Sequence, residues 1–145
     1  MDVLFLDANV LFSAAYREDA GVARLWRLER VTLVSSEYTI EEARRNLDGE
    51  QRLARLQRLL GHVTVIEAQP DRPLPKGVTL PDKDRPVLLA AIGVRATHLV
   101  TGDVAHFGAY YGQSIEGVMI VSPAEYLAVA DQADLRSIGR STEIS

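Results

Sequence analysis

The sequence predicts an α/β fold: a three-layer α/β/α domain whose central parallel sheet has about five strands. Two observations carry this. Short runs of mostly apolar residues recur along the chain, at Val3-Leu4-Phe5-Leu6, Val31 to Val34, His62 to Ile66, His98 to Thr101 and Val118 to Val121. Their length and continuity are those of strands buried on both faces. Segments of helical periodicity separate them, and strands alternating with helices imply a parallel sheet wound by right-handed crossovers. A third observation gives the fold a working edge. The first run ends in a carboxylate, Asp7, followed by Asn9, and open α/β sheets gather ligands where strands end and helices begin.

In order, Asn9 to Tyr16 reads as a short helix broken by the polar run from Arg17 to Gly21. Val22, Leu25, Trp26 and Leu28 then repeat at helical spacing up to Arg30. After the second strand, Tyr38 to Leu47 forms a third helix and Gln51 to Leu60 a fourth. Leu53, Leu56, Leu59 and Leu60 stripe that fourth helix opposite Arg52, Arg55 and Arg58, and Gly61 is placed to end it. Glu67 to Asp82 contains four prolines and is long for a loop, which points to function or to a crossing from one side of the sheet to the other. Asp84 to Arg95 is a helix with Pro86 in its first turn, where proline is tolerated. Ser122-Pro123-Ala124-Glu125 has the form of a capping box that opens a last helix to about Ala130. The domain is thus expected over 1–130, with a polar C-terminal tail over 131–145.

Composition sets the outer bounds. The 145 residues are 47% hydrophobic and 25% charged, a folded domain able to bury roughly 70% of the surface its unfolded chain exposes. The absence of cysteine excludes disulfides and thiolate chemistry. The apolar start is too short for a signal peptide or a membrane span, so a cytoplasmic location is expected. A net charge of −4 argues against indiscriminate nucleic-acid binding. Arginines nevertheless crowd residues 44–58, and arginine suits bidentate contact with phosphate. Arg52 and Arg55 are therefore candidate substrate contacts, against the ordinary reading of a solvated helix face.

Four acids need weighing together. Asp7 follows the first strand, Glu42 lies in the helix after the second, Asp84 starts the helix before the fourth, and Asp103 follows the fourth in Thr101-Gly102-Asp103. In a wound sheet helix N-termini lie on the side where strands end, so all four fall on one edge. Each has an ordinary explanation as a helix cap; Glu42, for instance, completes Thr39-Ile40-Glu41-Glu42 as a capping box. Jointly they repel, by about 4 kcal/mol for two charges about 4 Å apart at an effective dielectric of 20. A cation resolves this. Carboxylate oxygens with no Cys or His among them select Mg²⁺ or Mn²⁺ over Zn²⁺. Such ions reverse the local field for an anionic phosphodiester and activate water. His62 and His98 begin strands and read as structural, whereas His106 is a candidate substrate contact.

Leu6-Asp7-Ala8-Asn9-Val10-Leu11, Glu42 after Ser36, Asp82-Lys83-Asp84-Arg85-Pro86-Val87-Leu88 and Leu99-Val100-Thr101-Gly102-Asp103, in this order, resemble the PIN domain. The likeness covers about residues 1–130 and extends to small VapC-type toxins of toxin–antitoxin pairs. It implies a metal-dependent endoribonuclease, using Mg²⁺ or Mn²⁺ and leaving 5′-phosphate and 3′-hydroxyl ends. It also implies an RNA substrate, a cognate antitoxin, and a homodimer formed through helices near the start of the chain. The Val22, Leu25, Trp26 stripe could serve that dimer but is read as core. Asp7, Glu42, Asp84 and Asp103 match the family's four acids as catalytic and metal-binding residues, and Asn9 and Thr101 match its supporting polar positions. Glu41 competes with Glu42, and Asp82 with Asp84.

Two rivals stand beside this. A haloacid-dehalogenase-like phosphatase would use the first strand's aspartate as nucleophile, but it wants an acid where this chain has Asn9 and another where it has Phe107. A PIN fold that only binds RNA or protein would have no use for the complete acid set.

Overall fold

The computed structural model describes residues 1–144, with side chains described through residue 133. Among these residues the sheet has six strands: β1 (Asp2–Leu6), β2 (Val31–Ser36), β3 (Val63–Ile66), β4 (His98–Val100), β5 (Ser114–Ile115) and β6 (Val118–Val121). They lie side by side in the order β3-β2-β1-β4-β6-β5. Every pairing is parallel except that of β5 with β6. β5 is the strand that the sequence does not announce. Its two residues turn into β6 through Glu116 and Gly117, both at positive φ, the two-residue turn in which glycine is favoured.

From β1 the chain moves outward to β2 and β3, then returns to add β4 and β6 on the other flank. The reversal falls between β1 and β4, and the crevice beyond the strand ends there is where such sheets place ligands. Leu4, Phe5 and Leu6 pair with His98, Leu99 and Val100. One step further, the Asp7 amide donates to the Val100 carbonyl at 3.0 Å. Asp7 therefore stands beside Thr101.

The helices are α1 (Ala8–Tyr16), α2 (Glu37–Asn46), α3 (Glu50–Leu60), α4 (Arg85–Gly93), α5 (Val104–Phe107) and α6 (Pro123–Ile144). Side chains alternate along β1, so Leu4 and Leu6 enter one core with residues of α1, α2, α3 and α6, while Phe5 enters a second with α4 and Phe107. Each of these fully buried side chains is worth roughly 1.5–3 kcal/mol over exposure. Three layers result.

Several element bounds differ from the sequence reading. Gly21–Arg27 is a 3₁₀ helix. Leu25 within it is fully buried, and Val22 and Trp26 pack on the first core. The Trp26 indole also donates to the Leu59 carbonyl at 3.0 Å, so this stripe holds the chain together internally. The proline-rich segment crosses from β3 at one edge to the far face, where Leu74, Val78 and Leu80 join the second core. The last helix continues past Ala130 to Ile144, and Arg24 pairs with Asp131 at 2.6 Å; Ser145 lies outside the described residues. Among the described residues no helix is long and apolar enough to cross a membrane.

Candidate metal centre

A cleft of about 540 Å³ opens at the carboxyl end of the sheet, and Asp7, Glu42, Asp84 and Asp103 all line it, with Asn9 and Lys83. The four acids come from the end of β1, the middle of α2, the start of α4 and the turn after β4. The topology brings them together.

Asp7 is only 3% exposed. Its Oδ1 accepts the Ala8 amide at 2.7 Å, capping α1. Its Oδ2 accepts the Thr101 hydroxyl at 2.8 Å and the Asn9 amide at 3.1 Å. Burial still pushes its carboxyl up to about 6, against the hydrogen bonds from Thr101 and Ala8 that favour the charged form; the charges of Asp84 and Glu42 push the same way. Asn9 and Thr101 support the site from within. Asn9 Oδ1 accepts the Gly102 amide at 2.7 Å, tying the end of β1 to the end of β4. The fully buried Thr101 Oγ1 also accepts the Asp103 amide at 3.1 Å.

Glu42 is freed from the cap that the local sequence suggested. Helix α2 begins at Glu37, and its N-cap is Ser36, whose hydroxyl oxygen accepts the Thr39 amide at 3.2 Å. Glu42 then falls in the second turn, half-buried and facing the cleft. Glu41 instead pairs with Arg44 at 2.8 Å on the exposed side. The same separation holds further on, where Asp82 is exposed and Asp84 is 6% exposed. Asp84 occupies the N-cap position of α4 without making a side-chain cap. Its Oδ2 is buried and receives no aligned hydrogen bond, although His106 Nδ1 lies 2.9 Å away. Burial raises its carboxyl above the ordinary range, with His106 opposing and Asp103 adding to the shift.

Sequence reasoning missed where His106 stands. The short α5 is capped by Asp103, whose Oδ1 accepts the His106 amide at 3.2 Å. The ring folds back, so that His106 Nδ1 lies 2.8 Å from Asp103 Oδ2 and 2.9 Å from Asp84 Oδ2. Donor atoms of these three residues fall within 4.8 Å of one another, close enough for one cation to reach all three. The expectation that no histidine stands among the acids is corrected here.

Arg52 and Arg55 do not come to the cleft. Arg52 Nε donates to the Tyr16 carbonyl at 3.0 Å, and its guanidinium stacks 3.7 Å over the Tyr16 ring. Arg55 donates to the Ala15 carbonyl at 2.8 Å. Both serve the unsatisfied carbonyls at the end of α1, about 12 Å along the helix from Asp7. Lys83, the basic residue that lines the cleft, carried no local signal beyond its place between Asp82 and Asp84.

Residues 3–105 match the family model described as PIN domain, and the chain belongs to that family. Among solved structures it is similar to a chain of VapBC2 from Rickettsia felis bound to a DNA fragment from their promoter, at 16% identity and a TM-score of 0.62 over 83% of this chain and 98% of that one. It is also similar to the Trypanosoma brucei RRP44 PIN domain (T. brucei), at 19% identity and a TM-score of 0.59 over 97% and 88%. Mycobacterium tuberculosis VapC20, a Sarcin-Ricin loop cleaving toxin, matches at 17% identity and a TM-score of 0.52 over 73% and 93%. At these identities the likeness concerns the fold. Comparison with functionally curated proteins finds no significant match.

Proposed function

We propose that this chain is a divalent-metal-dependent endoribonuclease and the toxin of a toxin–antitoxin pair, with Asp7, Glu42, Asp84 and Asp103 as its metal-binding and catalytic acids. The observation that carries the reading is Asp84 Oδ2, a carboxylate oxygen buried at the wall of an acidic cleft that receives no hydrogen bond, since His106 Nδ1, 2.9 Å away, is aligned on Asp103 instead. An orphaned anionic oxygen among like charges is costly unless a cation meets it. The four carboxylates fit Mg²⁺ or Mn²⁺, which bind carboxylate oxygens. Bound there, such an ion supplies charge neutralisation for the phosphodiester and an acidified water.

The chain's own residues do the rest. Thr101, Asn9 and the Ala8 amide fix Asp7 in one orientation, so little reorganisation remains when substrate arrives. Asp84 and Asp103 present oxygens next to one another, both against His106 Nδ1, and Glu42 lines the same cleft from α2. Lys83 offers a positive charge to a phosphate entering past the acids. The toxin assignment and its antitoxin partner draw on the likeness to the VapBC2 chain, and the RNA substrate draws on the likeness to VapC20. Neither Asn9, bound to Asp7 and Gly102, nor the buried Phe107 supplies the acid that a phosphatase of the haloacid-dehalogenase type needs there.

The test is digestion of single-stranded RNA by the purified chain with Mg²⁺, with Mn²⁺ and with EDTA, followed by mapping of the product ends. Metal-dependent internal cuts leaving 5′-phosphate and 3′-hydroxyl are expected. RNA bound but left uncut at every metal concentration would make the chain a binding module instead.

A further inference from the structure

The acids of the cleft are all oxygen donors, yet at one corner a nitrogen stands among them. His106 Nδ1 lies 2.8 Å from Asp103 Oδ2 and 2.9 Å from Asp84 Oδ2. These are the separations of adjacent donors on an octahedral shell of about 2.1 Å radius. The ring carries one proton on Nδ1 at most, and its hydrogen-bonding geometry is satisfied toward Asp103. Asp84 Oδ2 is left without a donor although its side chain is only 9% exposed. One proton cannot serve both carboxylates. A cation held by all three can.

Resting on the metal-dependent reading above, we propose that His106 Nδ1 ligates the metal beside Asp84 and Asp103, and that it sets a preference for Mn²⁺ over Mg²⁺. An imidazole nitrogen is a softer donor than a carboxylate oxygen; it suits first-row transition ions, while Mg²⁺ favours oxygen alone. In this role the ring is neutral, with its proton on Nε2. Its position is fixed locally. Asp103 caps the His106 amide, which keeps the ring beside the Asp103 carboxylate, and the cation takes the place of the proton that Nδ1 shares with Asp103 in the metal-free chain.

The test is metal binding, measured apart from activity. Mn²⁺ and Mg²⁺ are titrated calorimetrically into the metal-free chain and into His106→Asn, and Mn²⁺ bound to the unmodified chain is examined by pulsed electron paramagnetic resonance for coupling to a histidine nitrogen. The expected result is a nitrogen coupling in the unmodified chain that His106→Asn removes. With it, Mn²⁺ affinity should fall at least tenfold while Mg²⁺ affinity changes less than twofold. Absence of the coupling, or equal weakening of both ions, overturns the proposal. The spectroscopic arm does not depend on the variant folding. RNA digestion run in parallel separates the two readings: cutting in Mn²⁺ without nitrogen coupling overturns the ligand assignment alone. Nitrogen coupling without cutting supports it and removes the nuclease.

Discussion

The Thr101 hydroxyl lies 2.8 Å from Asp7 Oδ2 and donates to it, joining the ends of two neighbouring strands through one buried contact. Thr101 Oγ1 in turn accepts the Asp103 amide at 3.1 Å. An uncharged side chain thus positions two acids of the cleft. Thr101→Val keeps the shape and removes these two bonds together with a longer one from the Asn9 amide at 3.4 Å, leaving a buried carboxylate oxygen and a backbone amide short of partners. It should lower stability by about 1–3 kcal/mol in urea unfolding and raise the Asp7 carboxyl further. A variant as stable as the parent would show that the contact is incidental.

Asp7 should cost the metal-free protein stability near neutral pH. Its folded carboxyl sits at about 6 against an ordinary 3.8, chiefly because burial disfavours its charge. The native chain therefore holds a proton that the unfolded chain has released, and stability falls as pH rises through this window. The contribution is about 3 kcal/mol, present below pH 3.8 and lost above 6. Asp7→Asn should then be at least as stable as the parent at pH 7.5 in EDTA. Its advantage should shrink by about 1–3 kcal/mol when both are compared at pH 4.5. Equal differences at the two pH values would mean that Asp7 titrates normally.

Metal should reverse this cost. Mn²⁺ at 100 times its dissociation constant adds about 2.7 kcal/mol to a protein that binds it only when folded. The thermal midpoint at pH 7.5 should rise with Mn²⁺ and return on adding EDTA. Asp84→Asn, which alters the buried oxygen, should lose most of the rise. The same rise in parent and variant would place the ion elsewhere.

Arg52 and Arg55 stand outside the acidic cleft. Their crowding among other arginines suggests phosphate, but both are committed to carbonyls at the end of α1. Truncating Arg55 to Met should cost about 1–2 kcal/mol of stability and leave the salt dependence of RNA binding unchanged. A shallower salt slope would return these residues to the RNA surface.

What was legible was whatever a local rule governs. Asp7 and Asp103 follow buried strands, and Asp84 precedes a helix, so order alone sends them to one rim. Glu42 was obscured because Thr39 offers a plausible cap, whereas Ser36, at the strand end, takes the role. The meeting of His106 with Asp84 could not be read, since it joins residues 22 positions apart through a turn whose geometry only the folded sheet sets. The 3₁₀ form of Gly21–Arg27 escaped for a similar reason: the apolar spacing of Val22, Leu25 and Trp26 suits either helix, and packing on the first core decides.

The central claim is that four acids form one metal-dependent hydrolytic site. It is tested most directly by the rate of single-stranded RNA cleavage against Mn²⁺ concentration, for the parent and for Asp7→Asn, Glu42→Gln, Asp84→Asn and Asp103→Asn. The parent rate should saturate with Mn²⁺ and vanish in EDTA, and the Asp7 and Asp84 variants should fall at least about 100-fold. Cleavage that persists in EDTA, or that survives unchanged in either variant, would contradict it.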